Sequence, residues 1–289
     1  VAFALLDSTT AAFADGGSGH VVTYPGGAPD QGDLLVLAVN SDTTVSTPSG
    51  WTLVASRVVA QGAYLFARLA GAAEASTVTI TTSGSFNAAA VFLRYSGAAS
   101  ATPEQTATAG VEAVPGLVTP AVAPGALGGT DRLCVLSGGL HSASGAVVSP
   151  TGSTGYTVAA ASALQGAGGT AAQQVALART DGSGTQAPVL SWTDSGSNAF
   201  ADRTALFAAW APGGAATVTG TGAGVLSSIA GAAAGVRTVL GTAAGSLPRV
   251  AGAVVLAAAV AGSSSIGTGT APAATIGTGT AAAAAIGSR

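Results

Sequence analysis

Glycine and proline recur so closely along this 289-residue chain, with 43 Gly and 12 Pro in all, that most stretches lack ten clean positions for a helix. A Gly in a helix interior costs about 1 kcal/mol relative to Ala, and a Pro about 3 kcal/mol. Between these breakers lie short β-branched and aromatic runs bounded by Gly, Pro, Ser, Asn and Asp, which is the pattern of many short strands. Residues 34–39 (LLVLAV) form a continuous apolar run suited to a strand buried on both faces. Residues 77–81 (TVTIT) alternate, so one face should meet solvent. Residues 88–95 and 203–210 are the other strong strand candidates. The expected fold is all-β, an antiparallel sandwich.

The chemistry available to such a chain is narrow. All nine basic residues are Arg, so no Lys exists for a P-loop, a Schiff base or a Ser-x-x-Lys pair. A single thiol, Cys134, excludes an internal disulfide and a multi-Cys zinc site. His20 and His141 are the only imidazoles, which argues against a histidine-rich metal centre. A net charge of −3 offers no basic footprint for nucleic acid. The longest strongly apolar run, residues 250–261, is shorter than the roughly 20 residues a spanning helix needs. With the first Arg at Arg57, the N-terminus also lacks the basic region of a signal peptide. No cofactor, metal, nucleic-acid partner or membrane span is expected.

Charge also divides the chain. All 12 acidic residues lie at or before Asp202, Pro212-Gly213-Gly214 reads as a linker, and a Gly/Ala/Thr/Val tract follows. Two domains are therefore expected, 1–212 and 213–289. Within the first, two halves carry the same landmarks in the same order. Gly32-Asp33-Leu34-Leu35, Pro48-Ser49-Gly50-Trp51, Tyr64 to Arg68 and Ala90 to Tyr95 match Thr130-Asp131-Arg132-Leu133, Pro150 to Tyr156, Val175 to Arg179 and Ala205 to Trp210. The halves fall at about 1–97 and 125–212, with residues 98–129 as a Pro-rich connection. Each strand set spans only about 65 residues and would bury little surface alone. The expectation is one jelly roll to which both halves contribute strands.

The run from Val21 to Tyr95, with Gly32-Asp33-Leu34-Leu35-Val36-Leu37, Pro48-Ser49-Gly50-Trp51-Thr52 and a closing Phe92-Leu93-Arg94-Tyr95, resembles a module of bacteriophage tail-fibre and minor tail proteins, especially phages of actinobacteria. The second half, from Thr119-Pro120-Ala121-Val122 to Ala205-Leu206-Phe207-Ala208-Ala209-Trp210, is similar to the remainder of such modules. The resemblance covers about residues 2–212 and implies a jelly-roll fold with a structural or adhesive role. It carries over no catalytic residue.

In the second domain, Ile266-Gly267-Thr268-Gly269-Thr270 recurs as Ile276-Gly277-Thr278-Gly279-Thr280 and begins again at Ile286-Gly287-Ser288. A fixed ten-residue period means a unit whose copies stack. Gly231 and Gly235, four apart, would suit close helix packing, whereas Pro248, Pro272 and the Thr-Gly-Thr alternation weaken a helix. A short strand per repeat, a helix and extended chain all remain open, with β-structure favoured. Ile266, Ile276, Ile286, Gly267 and Gly277 are the candidate assembly residues.

Four constellations could carry chemistry or binding. Asp131 and His141 with Ser142 or the nearby Ser144 would supply a hydrolytic triad, but no Gly-x-Ser-x-Gly elbow exposes a nucleophile. The pairs Asp30/Asp33 and Asp181/Asp194 could supply carboxylates, although turn roles suit them better. Gly220-x-Gly222-x-Gly224 lacks the strand, helix and downstream acid of a nucleotide loop. Trp51, Tyr64, Tyr156 and Trp192 could stack on sugars, although recurrence between the halves favours packing. Trp51 and Tyr156 are the candidate ligand contacts, and Arg68 and Arg179, at equivalent positions, should pair with carboxylates or cap strand ends, with a bound phosphate-rich ligand as the alternative. The chain is expected to be a non-enzymatic virion protein, made in the host cytoplasm and placed at the particle surface. It would act as a tail fibre or minor tail protein presenting its module for host attachment. Its expected partners are itself, as a homotrimer, other virion proteins and a host surface glycan. Three alternatives stand beside this: a capsid decoration or head-fibre protein, a glycan-binding or glycan-cleaving module, and a bacterial surface adhesin.

Overall fold

Alternating side chains decide which face of each strand does what, and in the centre of this fold both faces are buried. The structure is a computed structural model and describes residues 2–13, 18–59, 61–84, 88–114, 118–142, 149–165, 171–193 and 201–213, with strands at 217–221, 237–242, 254–256 and 275–276. The chain divides into two units, Ala2–Pro212 and Gly213–Arg289.

The first half of the larger unit contains β1 (Ala4–Phe13), β2 (Gly19–Thr23), β3 (Leu34–Ser41), β4 (Val45–Ser46), β5 (Thr52–Val58), β6 (Gly62–Leu69), β7 (Thr77–Thr82) and β8 (Ala88–Ser96). They form a five-stranded antiparallel sheet in the order β1-β8-β3-β6-β5 and a three-stranded sheet β2-β7-β4. Every residue of β3 is buried. Leu35, Leu37 and Val39 turn toward the small sheet, where they meet Val22, Val78, Ile80, Phe66 and Phe92. Leu34, Val36 and Ala38 turn the other way with Leu65, Val91, Leu93 and Tyr95. β7, by contrast, alternates exposed and buried as its TVTIT pattern requires.

The second half repeats this plan with β9 (Gln105–Val114), β10 (Arg132–Ser142), β11 (Ser149–Gly152), β12 (Thr157–Gln165), β13 (Ala171–Gly182), β14 (Leu190–Thr193) and β15 (Ala201–Trp210). Its large sheet runs β9-β15-β10-β13-β12, the same order position for position. β11 pairs with β14 as β4 pairs with β7. Residues 118–122 take the place of β2 along β14, through the Val118↔Ser191 bridge and the Thr119 N–H donated to Leu190 O at 2.8 Å. In the first half β1 lies beside β8, β2 beside β7 and β3 beside β6.

The all-β antiparallel sandwich is thus the fold, but its strands do not distribute as one roll shared by both halves. Every described sheet of this unit draws its strands from one half only. The reason is that the face each half could not cover alone is covered by the other half. Residues 98–129 are also more than a connection, because β9 lies within them and forms the edge of the second large sheet. Its sequence, QTATAGVEAV, is small and polar and lacks the β-branched and aromatic density that marks the central strands.

The two large sheets pack face to face. Leu34, Val36, Leu65, Leu93 and Tyr95 of one meet Leu133, Val135, Ala176, Leu206 and Trp210 of the other. Full burial of one such large apolar side chain contributes about 1.5–3 kcal/mol. Contacts across this seam come in exchanged pairs: β1 lies on β12 and β9 on β5, β8 lies on β13 and β15 on β6, while β3 crosses its own counterpart β10. That is the pattern of an isologous dimer interface built within one chain. A polar spot interrupts the apolar seam at fully buried Asn40, whose Nδ2 donates to Gln61 Oε1 at 3.0 Å and to the Gln173 carbonyl at 3.3 Å.

In the smaller unit β16 (Thr217–Thr221), β17 (Arg237–Thr242), β18 (Val254–Leu256) and β19 (Thr275–Ile276) pair in parallel and in that order. Thr217 pairs with Thr238, 21 residues on, and Val255 with Thr275, 20 residues on. Each of these two steps spans two of the sequence repeats. Ile276 is in β19, whereas Ile266, Gly267, Gly277 and Ile286 lie outside the described residues.

Candidate functional site

The duplicated body carries one local device twice, and the two copies differ in a way that matters chemically. In the first half Pro48-Ser49-Gly50-Trp51 makes a tight turn closed by the Trp51 N–H to Pro48 O at 3.1 Å. In the second half Ser153-Thr154-Gly155-Tyr156 makes the same turn, closed by the Tyr156 N–H to Ser153 O at 3.1 Å. Gly50 and Gly155 hold φ of 76° and 84°, the left-handed value that the third position of a type II turn demands. Each turn delivers an aromatic residue directly before an edge strand. Thr52 then pairs with Ala67 and Thr157 with Ala178, which places Arg68 and Arg179 beside those aromatics. Their guanidinium carbons lie 5.9 Å from the Trp51 ring centre and 5.7 Å from the Tyr156 ring centre, within cation–π range.

In the first half the arginine has a carboxylate partner from its own loop, while its Nε is buried without a hydrogen-bond partner. Arg68 Nη2 meets Glu74 Oε2 at 2.9 Å, and the Glu74 side chain is only 5% exposed. Glu74 also accepts the Tyr24 hydroxyl at 3.3 Å and the Gly71 N–H at 3.0 Å. Burial, followed by the charge of Glu74, pushes the Tyr24 phenol up to about 12. Trp51 itself is 7% exposed and sits edge-on to Tyr24 and Phe92. Its ring has no open face for a ligand, so its part is packing.

In the second half the corresponding loop carries Gln186 instead of a carboxylate. Gln186 Oε1 accepts the Tyr156 hydroxyl at 3.1 Å, and its Nε2 donates to Ser183 O at 2.6 Å. Among the described residues the hydrogen bond of Arg179 runs from Nε to Asp181 Oδ1 at 3.0 Å, and the Asp181 side chain is 75% exposed. That bond, reinforced by the arginine charge, holds the Asp181 carboxyl below its usual range. Beside Arg179 opens a cleft of about 470 Å³ lined by Ser153, Thr154, Tyr156, Arg179, Thr185 and Gln186, with Ala187 and Pro188 as its apolar wall. Tyr156 is half-buried. Burial raises its phenol pKa and, as the leading cause, also pushes the neighbouring Cys134 thiol up to about 11.

The other sequence candidates do not converge. Asp131 stands just before β10, while His141 and Ser142 are at its far end. Ten residues of strand separate them by about 33 Å, which removes the triad. Asp33 and Asp30 are both bound to Arg94, at 2.6 and 3.2 Å, and so fix the entry to β3. Asp194 lies outside the described residues, as do Ser144, Gly222 and Gly224, while Gly220 is in β16. Tyr64 and Trp192 are buried core residues. Cys134 is buried and unpaired. Among the described residues no group of three or more His, Cys, Asp or Glu is placed to hold a metal ion, and no helix is long and apolar enough to cross a membrane.

Sequence reading marked Tyr156 and the Arg68/Arg179 equivalence but missed Gln186 and Glu74. Their signal is in the sequence, since Gln186 follows Arg179 at nearly the interval that separates Glu74 from Arg68. Reading it requires the halves to be aligned through the loop, where they differ by one residue. Comparison with known proteins finds no family model, no curated protein and no solved structure that matches this chain.

Proposed function

We propose that the chain is a structural and adhesive protein of a tailed bacteriophage particle, a tail fibre or minor tail protein in which two jelly-roll halves form one display body. The observation that carries this reading is the doubling itself. Two sandwiches whose large sheets share one strand order are joined through a mainly apolar seam, followed in sequence by a repeat tract whose described strands pair in parallel. A short-period repeat whose strands pair in parallel is suited to stacking against copies of itself, which supports a homotrimer assembled through residues 213–289. The resemblance of residues 2–212 to phage tail modules points the same way. Attachment would then work by avidity, weak single contacts being multiplied on one particle.

Immunogold labelling of purified phage particles that carry the protein tests the placement. Label on the tail supports the proposal, whereas label confined to the head, or none on any particle, refutes it. Light scattering of the full chain against a chain ending at Pro212 tests the assembly role: a trimer that becomes a folded monomer is the expected result. Two monomers would remove self-assembly from the proposal.

A further inference from the structure

The two equivalent arginine sites act as control and experiment within one molecule. In the first half the guanidinium over the aromatic ring is closed by a buried carboxylate, that of Glu74, which also takes a tyrosine hydroxyl and a backbone N–H. In the second half the loop supplies an amide at this place, and the amide is spent on Tyr156 and Ser183 O. Arg179 is left with Asp181, a surface carboxylate, and an open cleft lies beside it. An exposed ion pair of that kind contributes little. A guanidinium held in place by a turn, a ring and a neighbouring strand is, in contrast, pre-organised to accept a second carboxylate on its remaining N–H groups.

We propose that the cleft between the 153–156 turn and the 183–188 loop binds the carboxylate of an acidic sugar, with Arg179 taking the place toward the ligand that Arg68 takes toward Glu74. The lining favours a saccharide. Ser153, Thr154 and Thr185 bring hydroxyls able to donate and accept, and Ala187 brings an exposed apolar edge beside them. Phosphate recognition commonly uses several basic groups together, whereas this cleft has one arginine and the template in the other half is a carboxylate. The volume of about 470 Å³ lies within the range of small-ligand sites. The inference goes beyond the proposed place on a virion and holds wherever the protein is displayed.

The test is a titration of the full-length chain with trigalacturonate, using maltotriose as the neutral control and triglutamate as the peptide control, read by ligand-observed NMR. Trigalacturonate is expected to bind one site per chain, more weakly as salt is raised, and maltotriose about tenfold less tightly. Arg179→Gln removes the guanidinium, and Gln186→Glu supplies the internal carboxylate of the first half. Each is expected to weaken trigalacturonate about tenfold or more, with thermal unfolding confirming the fold. Because Gln186→Glu adds a partner to Arg179 and removes no cation, it tests the site even where Arg179→Gln unfolds. Absence of binding at about 10 mM, equal binding of maltotriose, preference for triglutamate, or affinity unchanged in Gln186→Glu overturns the proposal.

Discussion

Adding one methyl group at Gly139 tests the seam between the two halves. Gly139 is on β10, and a Cβ there would overlap Asn40 Cγ and lie 2.7 Å from both Asn40 Oδ1 and Nδ2. Asn40 belongs to β3 and is fully buried. Relief requires one of two changes. The amide can swing away and lose its bonds to Gln61 and Gln173, each worth about 1 kcal/mol net. Alternatively, the sheets can part slightly, which is the overpacking cost of about 1–3 kcal/mol. Gly139→Ala should therefore destabilise the body by about 2–4 kcal/mol. Asn40→Ala alone should cost about 1–3 kcal/mol by stripping partners from buried acceptors. In the double variant the new methyl enters space that the amide has vacated, so the combined loss should fall short of the sum by about 1–2 kcal/mol. Urea unfolding of the full-length chain, followed by fluorescence of the buried Trp51, Trp192 and Trp210, measures all four corners of the cycle. A Gly139→Ala variant within about 0.5 kcal/mol of the parent, or strictly additive losses, would refute this account of the seam.

Further outcomes follow from single groups. Trp210 is fully buried and donates its Nε1–H to Ala101 O at 2.9 Å; Trp210→Phe should cost about 1–3 kcal/mol by the same urea assay. The Cys134 thiol, raised to about 11 by burial, should resist iodoacetamide at pH 8 in the folded protein and react once urea unfolds it. Since the unfolded thiol ionises first, the stability linked to Cys134 is full below its ordinary pKa and is lost as pH rises toward about 11, a slope that Cys134→Ala should flatten. His20 is buried against Phe13, ring centres 4.7 Å apart, and desolvation lowers its pKa. Its contribution is therefore present above the ordinary imidazole value and lost as pH falls toward the folded one. An NMR titration giving His20 an ordinary or raised pKa would contradict this. Asp181→Asn, which removes a carboxylate competing for Arg179, should tighten trigalacturonate about threefold in the same titration.

What the sequence determined by itself was the class of fold and much of its inventory. Glycine and proline spacing forbids long helices, the 34–39 run can be buried on both faces, and the TVTIT alternation can be buried on one, because these follow from period and breaker positions alone. The duplication was equally legible, since landmark residues keep their order whatever the chain pairs with. Tertiary structure decided which strands share a sheet. The sequence argument that 65 residues bury too little surface was sound for an isolated half, but it could not foresee that a second copy would cover the open face. β9 escaped notice for a related reason: an edge strand is defined by its neighbour β15 and needs little apolar content of its own. The candidate site divides in the same way. Tyr156 and Arg179 stand out as counterparts of Trp51 and Arg68, but sequence spacing does not show which arginine is closed by its own loop. Only the fold brings Glu74 onto Arg68 and leaves Gln186 turned to Tyr156 and Ser183, because hydrogen-bond partners are set by where a loop returns in space.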